Sequence, residues 1–181
     1  NENDGEISQS DILEFLSKRK GILDGVAITG GEPLLHPGID AFIREIKKLG
    51  LKVKLDTNGS NPALLAELID EKLVDYVAMD IKNAPEAYGE TAGVKNFDLT
   101  PIRESVDFLL QGTVDYEFRT TVVAQLHDAA SFAAIGPWIA GAKRYFLQAF
   151  VDSGDLVGEG LHAPSKEKLA GMRDAAAKFV K

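Results

Sequence analysis

The feature that most restricts how this chain of 181 residues can fold is a regular alternation of short apolar segments with helix-patterned segments. The predicted strands are GVAIT (25–29), KVKLDT (52–57), DYVAMDI (75–81), DYEFRTTVV (115–123) and KRYFLQAF (143–150). Apolar residues recur at helical spacing in 10–20, 39–50, 62–72, 98–112, 129–141 and 165–180, with Ser10 as the expected N-cap of the first helix. Such an alternation predicts an α/β fold with parallel strands.

Polar side chains recur at every second position near the ends of these strands, although strands covered by helices on both faces are usually apolar throughout. The residues that share one face within their own strands are Lys54 and Asp56, Asp80 and Lys82, Glu117 and Arg119, and Gln148. If these faces converge, the sheet curls around a polar interior, as in a partial (β/α) barrel whose upper rim holds a ligand. The alternative is that these side chains splay into solvent at the strand ends.

Composition excludes several functional classes. The formal net charge is −8 and no cluster of Lys and Arg is present, which argues against binding to nucleic acid. No apolar run approaches the roughly 20 residues that span a bilayer, so the sequence predicts no membrane partner and a cytoplasmic location. No linker or low-complexity tract is evident, and residues 1–181 are interpreted as one domain.

The loop after the first strand, TGGEP, suits the amino end of an amino-acid-like ligand. Gly30 and Gly31 have no side chains, so a ligand can approach the backbone closely, and their carbonyls can accept from an ammonium group. Glu32 adds a negative charge beside them. The alternative is a simple glycine turn followed by Pro33, with Glu32 solvated.

Two further motifs follow the next two strands: LDTNG (55–59) and MDIK (79–82). In this order, the three motifs resemble the radical S-adenosylmethionine enzymes, and within them the activating enzymes of glycyl-radical proteins. The resemblance extends from about Ile12 to Phe150 and implies a partial (β/α) barrel of the radical SAM type. It implies an activase that forms a 5′-deoxyadenosyl radical and abstracts a hydrogen from a glycine of its partner. That partner is an anaerobic ribonucleotide reductase or a pyruvate formate-lyase type enzyme, and flavodoxin or ferredoxin is the implied electron donor.

The same resemblance implies roles for individual residues. The cofactor-binding positions are Gly30, Gly31, Glu32, Asp56, Asn58, Asp80, Lys82 and Arg119. The GGE element matches the family's contact to the methionyl amino group of S-adenosylmethionine, while Lys82 and Arg119 match basic positions near the ligand. The positions that match a monovalent-cation site beside the ligand carboxylate are Asp56, Thr57, Met79 and Asp80. For Asp80 and Lys82 the alternative is a local ion pair at a strand end.

The chain departs from this family in one respect. Members hold a [4Fe–4S] cluster by three cysteines spaced CxxxCxxC, whereas this sequence has no cysteine. It is therefore interpreted as a fragment of a longer protein that lacks the first strand and the cluster loop, and as inactive in radical chemistry by itself. A degenerate homologue that has lost its chemistry is the alternative to a fragment.

Two other functions are alternatives to the activase. One is a catalytically inert adenosyl- or nucleotide-binding module, and the other is a conventional (β/α)-barrel lyase or isomerase that uses Lys82 with Asp80. Among the remaining residues, His36, His127 and His162 are expected at the surface because lone loop histidines are usually exposed. Tyr88 is expected at the rim of the ligand site.

Overall fold

The computed structural model describes residues 7–152 and 160–181. In this part of the chain, five parallel strands form one sheet in which the spatial order equals the chain order: β1 (Gly25–Ile28), β2 (Lys52–Thr57), β3 (Tyr76–Asp80), β4 (Asp115–Val122) and β5 (Tyr145–Ala149). The helices are α1 (Gln9–Ser17), α2 (Ile39–Lys48), α3 (Pro62–Asp70), α4 (Tyr88–Thr91), α5 (Thr100–Leu110), α6 (Ala129–Trp138) and α7 (Lys166–Ala177). Short 3₁₀ turns cover Pro33–Leu35 and Pro85–Ala87.

The predicted α/β fold with parallel strands is confirmed, and the differences lie mainly in the connections. The two 3₁₀ turns and α4 have no counterpart in the predicted elements, because a single turn is too short to show a hydrophobic period. The N-cap of α1 is Ser8 rather than Ser10: the Ser8 hydroxyl accepts from the backbone N–H of Asp11 at 3.1 Å. Ser10 lies inside the helix.

The sheet has one apolar face and one polar face. On β2, Val53 and Leu55 are fully buried, whereas Lys54 and Asp56 on the other face are half-buried. Parallel strands in sequential order, joined by right-handed crossovers, keep their helices on one side of the sheet. The apolar face therefore packs against the helices, as in a (β/α) barrel and unlike a doubly wound sheet.

The core on the helix side is continuous. It consists of fully buried side chains from strands and helices alike, among them Ile43, Ile46, Val53, Leu55, Leu65, Leu68, Val77, Met79, Val106, Leu109, Phe118, Phe132 and Ile135. The strands that carry the polar face are thus held from behind by an apolar layer.

Strand register brings the polar residues of different strands side by side. Asp56 pairs with Ala78 of β3, and Asp80 pairs with Arg119 of β4. The expectation that polar side chains share one face is confirmed. Within the described ranges, no helix combines the length and the apolarity needed to cross a bilayer.

Candidate functional site

The carboxyl ends of the parallel strands lie at one edge of the sheet, and all of the predicted site residues lie at or just beyond this edge. Gly30 and Gly31 follow β1, Asn58 follows β2, and Lys82 lies two residues beyond the end of β3. Loops at the carboxyl ends of strands are where (β/α) folds place their ligand sites. The structure therefore brings the three sequence motifs together.

Five charged side chains form a continuous network across β2, β3 and β4. Arg119 is at its centre: its Nη1 lies 3.2 Å from Oδ2 of Asp56, and its Nη2 lies 3.2 Å from Oδ1 of Asp80. Lys54 Nζ is 3.0 Å from Oδ1 of Asp56, and Lys82 Nζ is 3.1 Å from Oδ2 of Asp80. The three basic groups exceed the two carboxylates by one positive charge. We call these five residues the charge network.

Exposure within the charge network rises from its centre to its ends. The side chain of Arg119 is 15% exposed and that of Asp56 18%, whereas Lys82 is 43% exposed. Ala78 lies between Asp56 and Glu117 in the sheet, and its small side chain leaves room for Arg119 to reach across β3. Lys82, which can donate three hydrogen bonds, contacts only Asp80 through its ammonium group among the described residues and is accessible to a ligand.

One carboxylate oxygen of the charge network lacks a hydrogen bond. Oδ1 of Asp56 is buried, and the nearby Lys54 ammonium is not aligned to donate to it; no described side chain or backbone group does so. A buried polar atom without a hydrogen-bond partner is rare in folded proteins and marks a place where a ligand, an ion or water completes the site.

Glu32 contacts the protein itself rather than pointing into open space. Its Oε1 accepts from the hydroxyl of Thr57 at 2.7 Å and from the N–H of Leu34 at 3.1 Å, and its Oε2 accepts from the N–H of Asn58 at 2.6 Å. The side chain thus ties the loop after β1 to the end of β2. The alternative in which Glu32 is merely solvated is wrong, and three of its acceptor positions are already used.

Gly30 and Gly31 remain open to an approaching ligand. Gly30 has φ of +131°, a backbone conformation that favours glycine, and a Cβ added at Gly30 or Gly31 would meet no atom within 4 Å. Both glycines are exposed, so bare backbone is presented at the rim, as the TGGEP motif suggested.

The predicted cation ligands do not all face the same way. Thr57 pairs with Met79 on the helix side of the sheet, where both are buried, while Asp56 and Asp80 lie on the polar side. Thr57 and Met79 are therefore excluded as side-chain ligands, because residues adjacent in a strand point to opposite faces. Arg119 already bridges the two carboxylates, and a cation held by Asp56, Asp80 and backbone oxygens stays a prediction.

Asn58 has a local role in the described structure. Its side-chain oxygen accepts from the N–H of Ser60 at 2.8 Å, which forms the turn that follows β2. Gly59 continues this turn with φ of +77°, and Ser105 donates to the Gly59 carbonyl at 2.8 Å. Asn58 thus shapes the loop after β2, and its predicted contact with the cofactor stays a prediction.

His127, expected at the surface, and Tyr88, expected at the rim of the ligand site, are both buried. His127 is 4% exposed, and its ring nitrogens hydrogen-bond to backbone groups of Val123 and Lys82. Tyr88 is 2% exposed, stacks on Phe97 at 5.2 Å between ring centroids, and burial raises its pKa to about 12. The surface expectation for His127 was wrong, and Tyr88 lies beneath the surface instead of lining an open rim, because the loops after β3 and β4 fold over these rings. No local pattern in the sequence signals that folding.

A sizeable cavity lies at the edge of the sheet opposite to the candidate site. It measures about 790 Å³ and is lined at the amino ends of the strands by residues that include Gly25, Lys52 and Asp115. Nearby, the Tyr76 hydroxyl donates to Glu117 at 2.6 Å, and burial with this bond raises the pKa of Tyr76. The cavity walls also carry charged side chains, among them Lys54 and Asp75, but the cavity opens at the amino ends of the strands. We place the candidate site at the carboxyl edge, because that is the edge where (β/α) folds hold their ligands.

Comparison with known proteins identifies the family. The family model described as the radical SAM superfamily matches residues 2–129. This chain belongs to the radical SAM superfamily. It is 32% identical over 169 residues to a Methanocaldococcus jannaschii protein that bears a provisional name as a glycyl-radical enzyme activating enzyme, covering 87% of this chain and 68% of that protein. It is also 32% identical over 94 residues to 7-carboxy-7-deazaguanine synthase of Koribacter versatilis, covering 51% of this chain and 39% of the synthase.

Solved structures of radical SAM proteins share the fold. A domain of pyruvate-formate lyase-activating enzyme from Bacteroides vulgatus superimposes with a TM-score of 0.62 at 20% identity, covering 87% of this chain and 97% of that domain. Streptococcus suis SuiB bound to S-adenosylmethionine gives a TM-score of 0.67 at 13% identity, covering 98% of this chain and 41% of SuiB. These similarities confirm the (β/α) barrel type of the radical SAM fold.

Radical SAM enzymes use S-adenosylmethionine and a [4Fe–4S] cluster, and the residues of this chain fit only the first of these. A zwitterionic ligand suits the open glycine backbone together with a charge network that has a positive excess and an accessible Lys82 ammonium group. The cluster needs thiolates, and the 181 residues include no cysteine. Among residues 7–152 and 160–181, moreover, no three His, Asp or Glu side chains come together as a metal site.

Proposed function

We propose that this chain is the S-adenosylmethionine-binding part of an activase that generates a glycyl radical on a partner enzyme. The observation that carries the proposal is the charge network at the strand ends, next to the exposed backbone of Gly30 and Gly31. The two features offer complementary contacts to the two charged ends of an amino acid. The similarity to the M. jannaschii protein over 87% of the chain supports the activase over other radical SAM chemistries.

Each end of the cofactor's amino-acid group has its own contacts in this proposal. The carbonyls of Gly30 and Gly31 accept from the ammonium group, and Lys82, with Arg119 behind it, donates to the carboxylate. Glu32 holds the two loops in place and contributes negative potential, since its oxygens already accept three hydrogen bonds. Asp80 orients Lys82 through their 3.1 Å ion pair.

The chemistry that the reduced cofactor supplies is abstraction of a hydrogen atom from a glycine of the partner. The partner is a glycyl-radical enzyme of the anaerobic ribonucleotide reductase or pyruvate formate-lyase type, and flavodoxin or ferredoxin provides the electron. Within this chain, the residues bind and orient the cofactor, and no step is assigned to cluster ligands that it does not contain.

The activase proposal is tested on the complete protein encoded by the gene, reconstituted anaerobically with iron and sulfide. After reduction with S-adenosylmethionine and a candidate glycyl-radical enzyme, we expect the electron paramagnetic resonance doublet of a glycyl radical on the partner. A partner variant with alanine at the reacting glycine is the matched control and should show no doublet. Cofactor binding without cleavage would instead support the inert binding module. Cleavage without a protein radical would indicate a different radical SAM reaction.

A further inference from the structure

Three consecutive backbone carbonyls at the end of β3 each accept a hydrogen bond from a side chain. The Thr120 hydroxyl donates to Ile81 O at 2.6 Å, and Nε2 of His127 donates to Lys82 O at 2.8 Å. The Tyr88 hydroxyl lies 3.4 Å from Asp80 O and makes a longer contact. Because β3 ends at Asp80, the Lys82 carbonyl lies beyond the strand ladder, and His127 provides its hydrogen bond. We call residues 80–82 with these donors the β3 clamp.

His127 contacts backbone groups on two segments. Its Nδ1 lies 3.1 Å from the N–H and 3.2 Å from the carbonyl oxygen of Val123. Its Nε2 lies 2.8 Å from Lys82 O, and since a carbonyl oxygen can only accept, Nε2 is the donor of this hydrogen bond. The buried ring therefore joins the segment after β4 to the segment after β3.

Asn83, the residue after Lys82, is also hydrogen-bonded to the segment after β4. Asn83 is 1% exposed, and its Nδ2 donates to Leu126 O at 2.9 Å and to the Thr91 hydroxyl at 2.8 Å. Thr120 is itself bonded to the Tyr145 hydroxyl at 2.7 Å. The backbone that carries Asp80 and Lys82 is thus fixed from behind by buried polar groups, which suits a site that must hold charged groups in one geometry.

We infer that His127 and Thr120 are positioning residues that set the place of Lys82 relative to the ligand carboxylate. This inference rests on the proposed cofactor site and assigns a role to two side chains that do not face the ligand. Lysine has a long and flexible stem, so its ammonium group is placed accurately only if its backbone is fixed. Loss of the clamp should therefore weaken the contact to the carboxylate more than the contact to the rest of the cofactor.

The experiment compares amide substitutions at position 127 that differ in reach. In His127→Gln the amide nitrogen can occupy the position of Nε2 and still donate to Lys82 O, whereas in His127→Asn the amide reaches only the position of Nδ1. A second pair, Thr120→Ser and Thr120→Val, keeps or removes the donor to Ile81 O. For each variant, calorimetry gives the affinity for S-adenosylmethionine and for 5′-methylthioadenosine, which lacks the amino-acid end.

We expect His127→Asn and Thr120→Val to bind S-adenosylmethionine about tenfold more weakly, with less than a twofold change for methylthioadenosine. His127→Gln and Thr120→Ser should retain most of the wild-type preference for S-adenosylmethionine over methylthioadenosine. Without any ligand, amide hydrogen exchange of residues 80–84 should also accelerate about tenfold in His127→Asn and Thr120→Val, while exchange in β2 stays unchanged.

Each of the other outcomes would contradict one part of the inference. Unchanged amide exchange in His127→Asn and Thr120→Val would show that the β3 clamp does not exist, regardless of the measured ligand affinities. Faster exchange with an unchanged ratio of the two affinities would show a structural role only. Equal affinity of the wild-type chain for the two nucleosides would refute the proposed cofactor site and the role of the clamp in it, while the exchange measurement would still decide whether the clamp exists.

Discussion

Two parts of the rim use their carboxylates in opposite ways. At the corner formed by the loops after β1 and β2, the Glu32 carboxylate accepts three hydrogen bonds from this chain. In the charge network, by contrast, Asp56 has a buried oxygen without a hydrogen bond, and Lys82 is 43% exposed with donors to spare. Both sets of acidic residues lie in motifs of the same family. The corner is built for stability, and the charge network retains capacity for a ligand.

In the proposed site, this difference divides ligand recognition between backbone and side chains. At the corner, Glu32 is used to bring the two loops together, so that a ligand would meet the exposed glycine backbone instead of a free carboxylate. In the charge network, ion pairs between neighbouring side chains fix their positions, and the exposed ammonium group of Lys82 remains accessible to a ligand. Substitutions in the two parts should therefore separate effects on stability from effects on binding.

The largest effect on stability is expected for Arg119→Met. Arg119 is the only described contact between Asp56 and Asp80, and its removal leaves two poorly exposed carboxylates close together. We expect the free energy of unfolding to fall by about 3 kcal/mol, at the lower end for a broken buried pair because Asp80 is partly solvated. The control Lys54→Met, at an end of the network, should lose at most about 1 kcal/mol. Equal losses of unfolding free energy for the two variants in urea titrations would contradict the central role of Arg119 in the charge network.

The second effect concerns the turn at the corner. In Gly59→Ala the new Cβ would lie 2.1 Å from Cε of Met79, at a φ of +77°. Gly50 has a similar φ of +82° but open space around it, so Gly50→Ala isolates the backbone contribution of about 1 kcal/mol. We expect Gly59→Ala to cost about 1 to 2 kcal/mol more, because the end of Met79 must move within the core. Thermal unfolding of the two variants measures the difference, and no difference would mean that Met79 moves freely.

Glu32→Gln tests the structural role of the corner, with a smaller expected loss in the free energy of unfolding. A neutral amide keeps one acceptor oxygen but turns its nitrogen toward one of the three donors, so we expect a loss of about 1 to 2 kcal/mol in the free energy of unfolding. Glu45→Gln, on the exposed side of α2, serves as the control for removal of a carboxylate. A drop in cofactor affinity without any loss of stability would contradict the structural role and restore Glu32 as a ligand contact.

The sequence predicted the strands, their parallel arrangement and the polar face, because each depends on periodicity within a segment. The same periodicity could have placed Thr57 and Met79 on the helix side, opposite to Asp56 and Asp80, had it been applied to the proposed cation ligands. The partners of Glu32 and His127 could not be predicted in this way. They depend on how loops from different strands fold over one another, and a single sequence without local pattern carries no signal for such contacts.

The central claim, that the rim recognises the amino-acid end of S-adenosylmethionine, is tested most directly by isothermal titration of the wild-type chain. We expect S-adenosylmethionine to bind at least about tenfold more tightly than 5′-methylthioadenosine, since charge-assisted contacts contribute about 1.5 to 3 kcal/mol each. Lys82→Ala should remove most of this preference. Lys52→Ala should keep it, because Lys52 lies on the polar face of β2 but at the amino end of that strand, away from the rim. Equal affinity for the two nucleosides, or a preference that survives Lys82→Ala, would contradict the account.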